Sequence, residues 1–132
     1  MSAVLDTHAA IWHLVDAASL SQRVFSLIDA AAVGGVPAYI SAVSLVEVVY
    51  LVERGRIAAD AFEKFAGELD KSNPAFKVFP LNYNLASVLR DVSRSSVPDM
   101  PDRIIAATAR HLGLPLITRD RRLQAAGIQT IW

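Results

Sequence analysis

The stretch PDRIIAATARHLGLPLITRD, Pro101 to Asp120, decides the fold of this chain. Its first part predicts a helix, with Asp102 near the start, Gly113 just past the end and apolar residues at helical spacing, namely Ile105, Ala106, Ala109 and Leu112. A short apolar run at 116–118 then predicts a buried strand, which stops at Asp120. One carboxylate therefore opens a helix, and another closes the strand that follows it.

Apolar runs and helical patterns also alternate through the rest of the chain. Further strands are predicted at 3–5, 38–41, 76–79 and 128–131. Further helices are predicted at 7–15, from the cap Ser21 to Gly34, at 44–54, at 60–71, from the cap Asn84 onward, and at 123–126. Strands separated by helices need crossover connections, so we expect an α/β fold with a mostly parallel sheet and a final edge strand.

Composition bounds the class of protein. The 132 residues are expected to form a single domain, 1–132, and an apolar fraction of 53% with 20% charged residues excludes a disordered chain. The 13 basic and 13 acidic side chains balance, which argues against a strongly basic protein that coats nucleic acid. Local basic clusters, such as Arg119, Arg121 and Arg122, could still supply contacts.

Cysteine usage and hydropathy indicate the compartment. The chain has no cysteine, which excludes disulfides, iron–sulfur clusters and thiolate zinc sites, and fits a reducing cytosol. No signal-peptide pattern opens the chain, and the longest apolar run, 43–52, contains Glu47 and is too short to span a bilayer. We therefore expect a cytoplasmic protein without a membrane partner.

Four acidic residues stand at positions that this topology can bring to one edge of the sheet. Asp6 and Asp120 each follow a predicted strand, Asp102 opens a helix, and Glu47 lies on a mainly apolar helix stripe. Ligands of open α/β sheets gather beyond the carboxyl ends of the strands. Each acid also has a structural explanation, since the aspartates could cap helices, with Asp99 competing for that role beside Asp102.

Glu47 has a structural explanation of its own, a salt bridge with Arg54 or Arg103. Two carboxylates about 4 Å apart repel by roughly 4 kcal/mol at an effective dielectric near 20, so a cluster needs protons or a cation. Oxygen ligands without cysteine favour Mg²⁺ or Mn²⁺, whose bound water can attack phosphorus. Three hydroxyl residues beside the acids could orient an acid or a water, or serve as caps and core residues: Thr7, Ser44 and Thr118.

At this point the sequence resembles the PIN-domain nucleases, particularly the VapC-type toxins of toxin–antitoxin pairs. The resemblance lies in Asp6-Thr7-His8 after the first strand, Glu47 in SAVSLVEV, Asp102 in PDRIIAATA and Asp120 in ITRD, and it covers essentially the whole chain. It implies a three-layer α/β/α sandwich and a Mg²⁺- or Mn²⁺-dependent endoribonuclease that cleaves RNA. It also implies a homodimer that is inhibited by a cognate antitoxin protein.

Carried over by position, Asp6, Glu47, Asp102 and Asp120 look like the acidic quartet that holds the metal. Thr118 resembles the small hydroxyl residue before the last acid, Arg103 matches the arginine that follows the third, and Asp99 is auxiliary. Some relatives have a further acid where Arg121 and Arg122 stand, so the choice between one and two metal ions stays open.

Other functions have less support from the residues. A phospho-receiver module would need a lysine late in the sheet, and a haloacid-dehalogenase-like phosphatase would need an acid where His8 stands. The histidines show no paired zinc-binding spacing. The serious alternative is a non-catalytic PIN-like protein that binds RNA or acts as a scaffold and keeps the acids for folding or docking.

Overall fold

A computed structural model describes residues 2–132 of the chain. Within these residues, five strands form one parallel sheet in the order β3-β2-β1-β4-β5. The strands are β1 Val4–Leu5, β2 Ala38–Ser41, β3 Phe76–Phe79, β4 Leu116–Ile117 and β5 Thr130–Ile131. The expected parallel sheet is confirmed, and β5 is an edge strand as predicted.

Seven α-helices connect or follow these strands in the described part of the chain. They are α1 Thr7–Val15, α2 Gln22–Val33, α3 Ala42–Glu53, α4 Ala61–Leu69, α5 Tyr83–Val88, α6 Met100–Leu112 and α7 Arg121–Gln124. Two 3₁₀ turns, Ala17–Ser19 and Leu89–Asp91, follow α1 and α5. Taken over residues 2–132, every helix is too short or too polar to cross a membrane.

The alternation of side chains along the strands divides the core into two layers. Leu5, Ile40 and Ile117 pack with residues of α1, α2 and α4. Val4 and Leu116, their neighbours on β1 and β4, pack with residues of α5, α6 and α7 on the other face. Helices therefore cover both faces of the sheet, and the fold is a three-layer α/β/α sandwich.

Three helices begin at residues other than those predicted, and in each case the capping residue explains the difference. The cap of α5 is Asn82 and not Asn84, because Asn82 is extended and its side chain accepts a hydrogen bond from the Leu85 N–H. Helix α3 begins at Ala42, two residues earlier than predicted, because Ser41 ends β2 and also caps the helix. Helix α7 spans 121–124 and not 123–126, because Asp120 caps it.

The organising stretch folds as predicted and sets the geometry of the site. Asp99 caps α6, Asp102 lies in its first turn, and Gly113 ends it in the left-handed conformation at φ 64°. Strand β4 then runs back beside β1, pairing Leu116 with Val4. The carboxyl ends of β1 and β4, the start of α1 and the start of α7 consequently meet at one edge of the sheet.

Candidate active site at the carboxyl edge of the sheet

A cleft of about 400 Å³ opens at this edge of the sheet. Five carboxylate side chains from four segments of the chain line it, and we call it the acidic cleft: Asp6, Glu47, Asp99, Asp102 and Asp120. The remaining lining residues are Thr7, His8, Trp12 and Arg119. The structure thus brings the four predicted acids and the auxiliary Asp99 around one cavity.

Asp6 both caps α1 and forms a wall of the cleft. Its Oδ1 accepts the Ala9 N–H at 2.8 Å, and its Oδ2 accepts the hydroxyl of Thr118. Its side chain is only 8% exposed. Burial raises the pKa of Asp6, although the hydrogen bonds from Thr118 and Ala9 act in the opposite direction. The capping role and a role in a cation site are therefore compatible in one side chain.

Glu47 is held by a chain of hydroxyl groups and not by an arginine. Thr7 donates its only hydroxyl proton to Glu47 Oε1, so the Ser44 hydroxyl, 2.9 Å from Thr7 Oγ1, is the donor in that pair. Arg54 lies over the Tyr50 ring instead, which leaves the ion pair considered from the sequence unmade. Burial is the main cause that raises the pKa of Glu47.

Arg103, an auxiliary candidate from the sequence, lies outside the cleft. Its guanidinium donates to the backbone carbonyls of Val92 and Leu89, at 2.9 and 3.1 Å. These bonds tie the first turns of α6 to the 3₁₀ turn that precedes it. The contacts give Arg103 a structural position, and a direct role at the acids remains an untested prediction.

Asp102 shows most clearly that the carboxylates act on one another. Its pKa is raised to about 7, mainly by burial and then by the charges of the other four acids of the cleft. Asp99 lies immediately beside it, because Asp99 Oδ2 accepts the Asp102 N–H at 3.1 Å. The negative charges are therefore close enough to make full ionisation of the cluster unfavourable.

Asp120 completes the cleft and caps α7. Its Oδ1 accepts the N–H groups of Arg122 and Leu123, at 2.8 and 3.4 Å. The Asp120 N–H in turn donates to Thr118 Oγ1 at 3.0 Å. Since the same Thr118 hydroxyl donates to Asp6, this one side chain sets the spacing between the first and the last acid.

The donor set suits a hard divalent cation. All five acids offer oxygen, the ligand atom that Mg²⁺ and Mn²⁺ prefer, and each carboxylate oxygen can accept more than one contact. Among residues 2–132, however, no three acidic or histidine side chains are already placed to coordinate one metal ion. Asp6, Asp99 and Asp120 point oxygens at backbone N–H groups, so binding an ion would require them to share or turn these oxygens.

Two residues of the cleft, Trp12 and Arg119, were not among the predicted site residues, although Arg119 belongs to the basic cluster that was expected to be able to supply nucleic-acid contacts. The only signals available were that Trp12 stands one helical turn after His8, and that Arg119 directly precedes Asp120. Their mutual contact joins distant parts of the chain, with the Arg119 guanidinium carbon 4.8 Å from the centre of the Trp12 ring.

We expect the stability of the protein without divalent cations to depend on pH through Asp102. The Asp102 carboxyl group binds its proton more tightly in the folded protein than in the unfolded chain, because its pKa is about 7 in the folded protein and 3.8 for an ordinary, solvated aspartate. Stability should therefore fall as the pH rises through this window, by about 1–2 kcal/mol from Asp102 after discounting for solvent screening. Urea unfolding in the presence of a chelator at pH 4, 5.5 and 7.5 measures the free energy of unfolding across this window.

The control for this prediction is the Asp102→Asn protein. Half-buried His13, whose pKa is lowered mainly by burial, acts in the opposite direction by favouring folding as the pH rises. The difference between wild type and Asp102→Asn isolates the contribution of Asp102. A difference that does not change with pH would contradict the electrostatic account of the cleft.

Comparison with known proteins agrees with this architecture. A family model described as "PIN domain" matches residues 3–128. No curated protein matches the chain. Among solved structures, VapBC2 from Rickettsia felis bound to a DNA fragment from its promoter aligns with a TM-score of 0.75 at 14% identity, covering 99% of this chain and 98% of that chain.

Two further solved structures show the same fold. FitAcB from Neisseria gonorrhoeae aligns with a TM-score of 0.67 at 22% identity, covering 100% of this chain and 97% of that chain. A toxin–antitoxin complex from Klebsiella pneumoniae aligns with a TM-score of 0.64 at 22% identity, covering 98% and 96%. The alignments span nearly the full length of both partners, so the three-layer architecture is shared as a whole.

Proposed function

Because the chain belongs to the PIN-domain family, we propose that it is an endoribonuclease that uses Mg²⁺ or Mn²⁺ to cleave RNA phosphodiester bonds. We propose further that it is the toxin of a toxin–antitoxin pair. The observation that carries the proposal is the acidic cleft, where five carboxylates meet and the pKa of Asp102 is raised to about 7. The structural relatives, which include VapBC2 and a toxin–antitoxin complex, support the second part.

In this proposal Asp6, Glu47, Asp102 and Asp120 hold the cation, with Asp99 as an auxiliary carboxylate. A bound divalent cation supplies an acidified water and neutralises charge on the phosphate. The protein fixes the oxygens beforehand: Thr118 holds Asp6, and Thr7, itself held by Ser44, holds Glu47. A carboxylate of the cleft can accept the proton of the attacking water, a role that suits groups with pKa values raised towards neutrality.

We propose two protein partners, a second copy of the chain and a cognate antitoxin. Several large apolar side chains are exposed on the described chain, which supports burial against a partner: Val46, Val49 and Tyr50 on α3, Tyr83 on α5 and Met100 on α6. The near-neutral charge of the chain gives little self-repulsion to oppose such association. We also propose that residues 1–132 act as a single domain in the cytoplasm, where the RNA substrate is present.

Thermal unfolding with and without Mn²⁺ tests the cation site directly. A ligand that binds only the folded protein stabilises it by RT ln(1 + [L]/Kd), which is about 2.7 kcal/mol at one hundred times Kd. We expect Mn²⁺ and Mg²⁺ to raise Tm of the wild type and to raise that of Asp102→Asn much less. Monovalent salt at the same ionic strength controls for screening.

Cleavage of RNA by the purified protein, followed with and without a chelator, tests the activity itself. Cleavage that needs Mg²⁺ or Mn²⁺ and stops with a chelator is the expected result. A protein that binds RNA but shows neither a cation-dependent rise in Tm nor cleavage would instead be the non-catalytic RNA-binding or scaffold protein. Co-expression with the product of the neighbouring open reading frame, with growth as the readout, tests the antitoxin.

A further inference from the structure

Arg119 is a cation held at the rim of the acidic cleft by two aromatic rings. Its guanidinium carbon lies 4.8 Å from the centre of the Trp12 ring and 5.8 Å from that of Trp132. The two indoles, which we call the indole pair, meet edge to face with their centres 5.8 Å apart at 69°. Both distances to Arg119 fall within the range of an attractive cation–π contact.

The position of Arg119 is unusual because it forms no ion pair with the acids around it. It lines the same cleft as five carboxylates, yet the ion pairs among residues 2–132 join Lys64 with Asp60 and Lys71 with Glu68. Arg119 is also exposed to solvent. Its planar set of N–H donors is therefore oriented by the indole pair and stays available to a ligand from solution.

An RNA substrate needs such a cation, since the acidic cleft repels every phosphate of the strand outside the one bound at the site. A guanidinium matches a phosphate through two parallel hydrogen bonds, and one already held in place loses less freedom on binding. From this geometry we infer that Arg119, positioned by Trp12 and Trp132, binds a phosphate of the RNA backbone next to the cleavage site. This inference rests on the proposed function and adds the residue that anchors the strand.

The direct test is binding of a short, fluorescently labelled, single-stranded 2′-O-methyl RNA, measured by anisotropy in the Asp102→Asn background. We expect Arg119→Ala to weaken binding about tenfold or more. It should also reduce the slope of log Kd against log salt concentration by about 0.7, the value for one phosphate contact on a single strand. Arg119→Lys should keep the slope and lose only part of the affinity, because it keeps the charge without the planar fork.

Arg110→Ala is the matched control for the loss of one positive charge. Arg110 is exposed in the last turn of α6, at the end away from the cleft, so its replacement should leave Kd within about twofold. Equal losses for Arg110→Ala and Arg119→Ala would reduce the effect to overall charge and overturn the inference. So would unchanged binding by Arg119→Ala.

The role of the indole pair is tested by a double-mutant cycle. Trp12→Leu should weaken binding when Arg119 is present and have little further effect in Arg119→Ala, because the ring acts through the arginine. Trp132→Leu provides a second variant in case Trp12→Leu unfolds, as judged by circular dichroism. A Trp12→Leu loss that persists in full without Arg119 would mean that the indole contacts the RNA directly, and would overturn the positioning of Arg119 by Trp12.

Intrinsic fluorescence gives a local readout, since Trp12 and Trp132 are the only two tryptophans of the sequence. Binding of the unlabelled oligonucleotide should change their emission in the Asp102→Asn protein and in its Arg110→Ala derivative. Cleavage of unmodified RNA by the wild type is measured separately. If the wild type does not cleave RNA but binding still depends on Arg119, the proposed nuclease activity is wrong and phosphate binding by Arg119 stands. If the wild type cleaves RNA and binding does not depend on Arg119, only the inference about Arg119 is wrong.

Discussion

The Asp102→Asn protein is expected to lose RNA cleavage by about 10³-fold or more, an increase of about 4 kcal/mol in the activation barrier. The substitution keeps the size of the side chain and removes the charge that the cleft offers to a cation. At pH 7.5 and without divalent cations, the variant should be more stable than the wild type by about 1–2 kcal/mol, because it removes a charge that burial and then repulsion by the other acids disfavour, the two causes that raise the Asp102 pKa to about 7.

Loss of activity with a gain in stability separates a functional carboxylate from a structural one. Asp91→Asn is the matched control, since Asp91 is exposed in the 3₁₀ turn after α5 and takes no part in the cleft. It should leave both the cleavage rate and Tm nearly unchanged. Cleavage rates and Tm are measured on the same preparations, and full activity in Asp102→Asn would refute the assignment of the cation site.

Asp99→Asn provides a graded comparison within the same helix start. Asp99 lines the cleft, but its Oδ2 accepts the Asp102 N–H, and Asn can cap a helix as well as Asp. We expect a smaller loss of cleavage than for Asp102→Asn, because this carboxylate is partly engaged by the backbone. A loss as large as that of Asp102→Asn would place Asp99 among the principal ligands.

The parts of the fold that follow from neighbouring residues could be predicted from the sequence. Ser21 caps α2 and Gly113 ends α6, and both roles depend on residues within one helical turn. The error at α5 has the same local origin. Asn82 and Asn84 stand two residues apart beside one apolar pattern, and only the extended backbone at Asn82 distinguishes the cap.

The candidate site was predictable to the extent that parallel strands deliver their carboxyl ends to one edge. That rule placed Asp6 and Asp120 together without knowledge of side-chain positions. It could not show that Thr118 would join them by its hydroxyl, or that Arg119 would lie between two indoles. Those contacts join the segment after β4 to α1 and to Trp132, which are far apart in the sequence. A pattern of neighbouring residues cannot predict contacts of this kind.

Asp6→Asn is expected to reduce RNA cleavage about as strongly as Asp102→Asn, by about 10³-fold, while leaving the fold in place. Asn can accept the Ala9 N–H with its carbonyl oxygen and cap α1, so the helix start is retained. Its amide would donate to Thr118 Oγ1, which reverses the present hydrogen bond and does not break it. The negative charge is lost, together with the acceptor of the Thr118 hydroxyl proton.

Asp6→Ala is expected to differ from Asp6→Asn in stability and not in activity. Alanine removes the cap of α1 and leaves the buried Ala9 N–H and Thr118 hydroxyl without their partner. We expect a loss of about 1–3 kcal/mol in the free energy of unfolding, measured by urea denaturation. The relief of repulsion at the cleft offsets part of this loss. The Asn variant, which keeps the cap of α1, is the reference against which the loss of the cap is measured.

Ser21→Ala is the control that separates capping from catalysis. Ser21 caps α2 through a 3.2 Å hydrogen bond from the Val24 N–H and takes no part in the cleft. Its replacement should cost about 1 kcal/mol of stability and leave cleavage by the folded protein unchanged. If Asp6 were only a cap, Asp6→Asn would cleave like the wild type, and Asp6→Ala would resemble Ser21→Ala. If Asp6 holds a cation, both Asp6 variants are inactive, and only Asp6→Ala is also unstable.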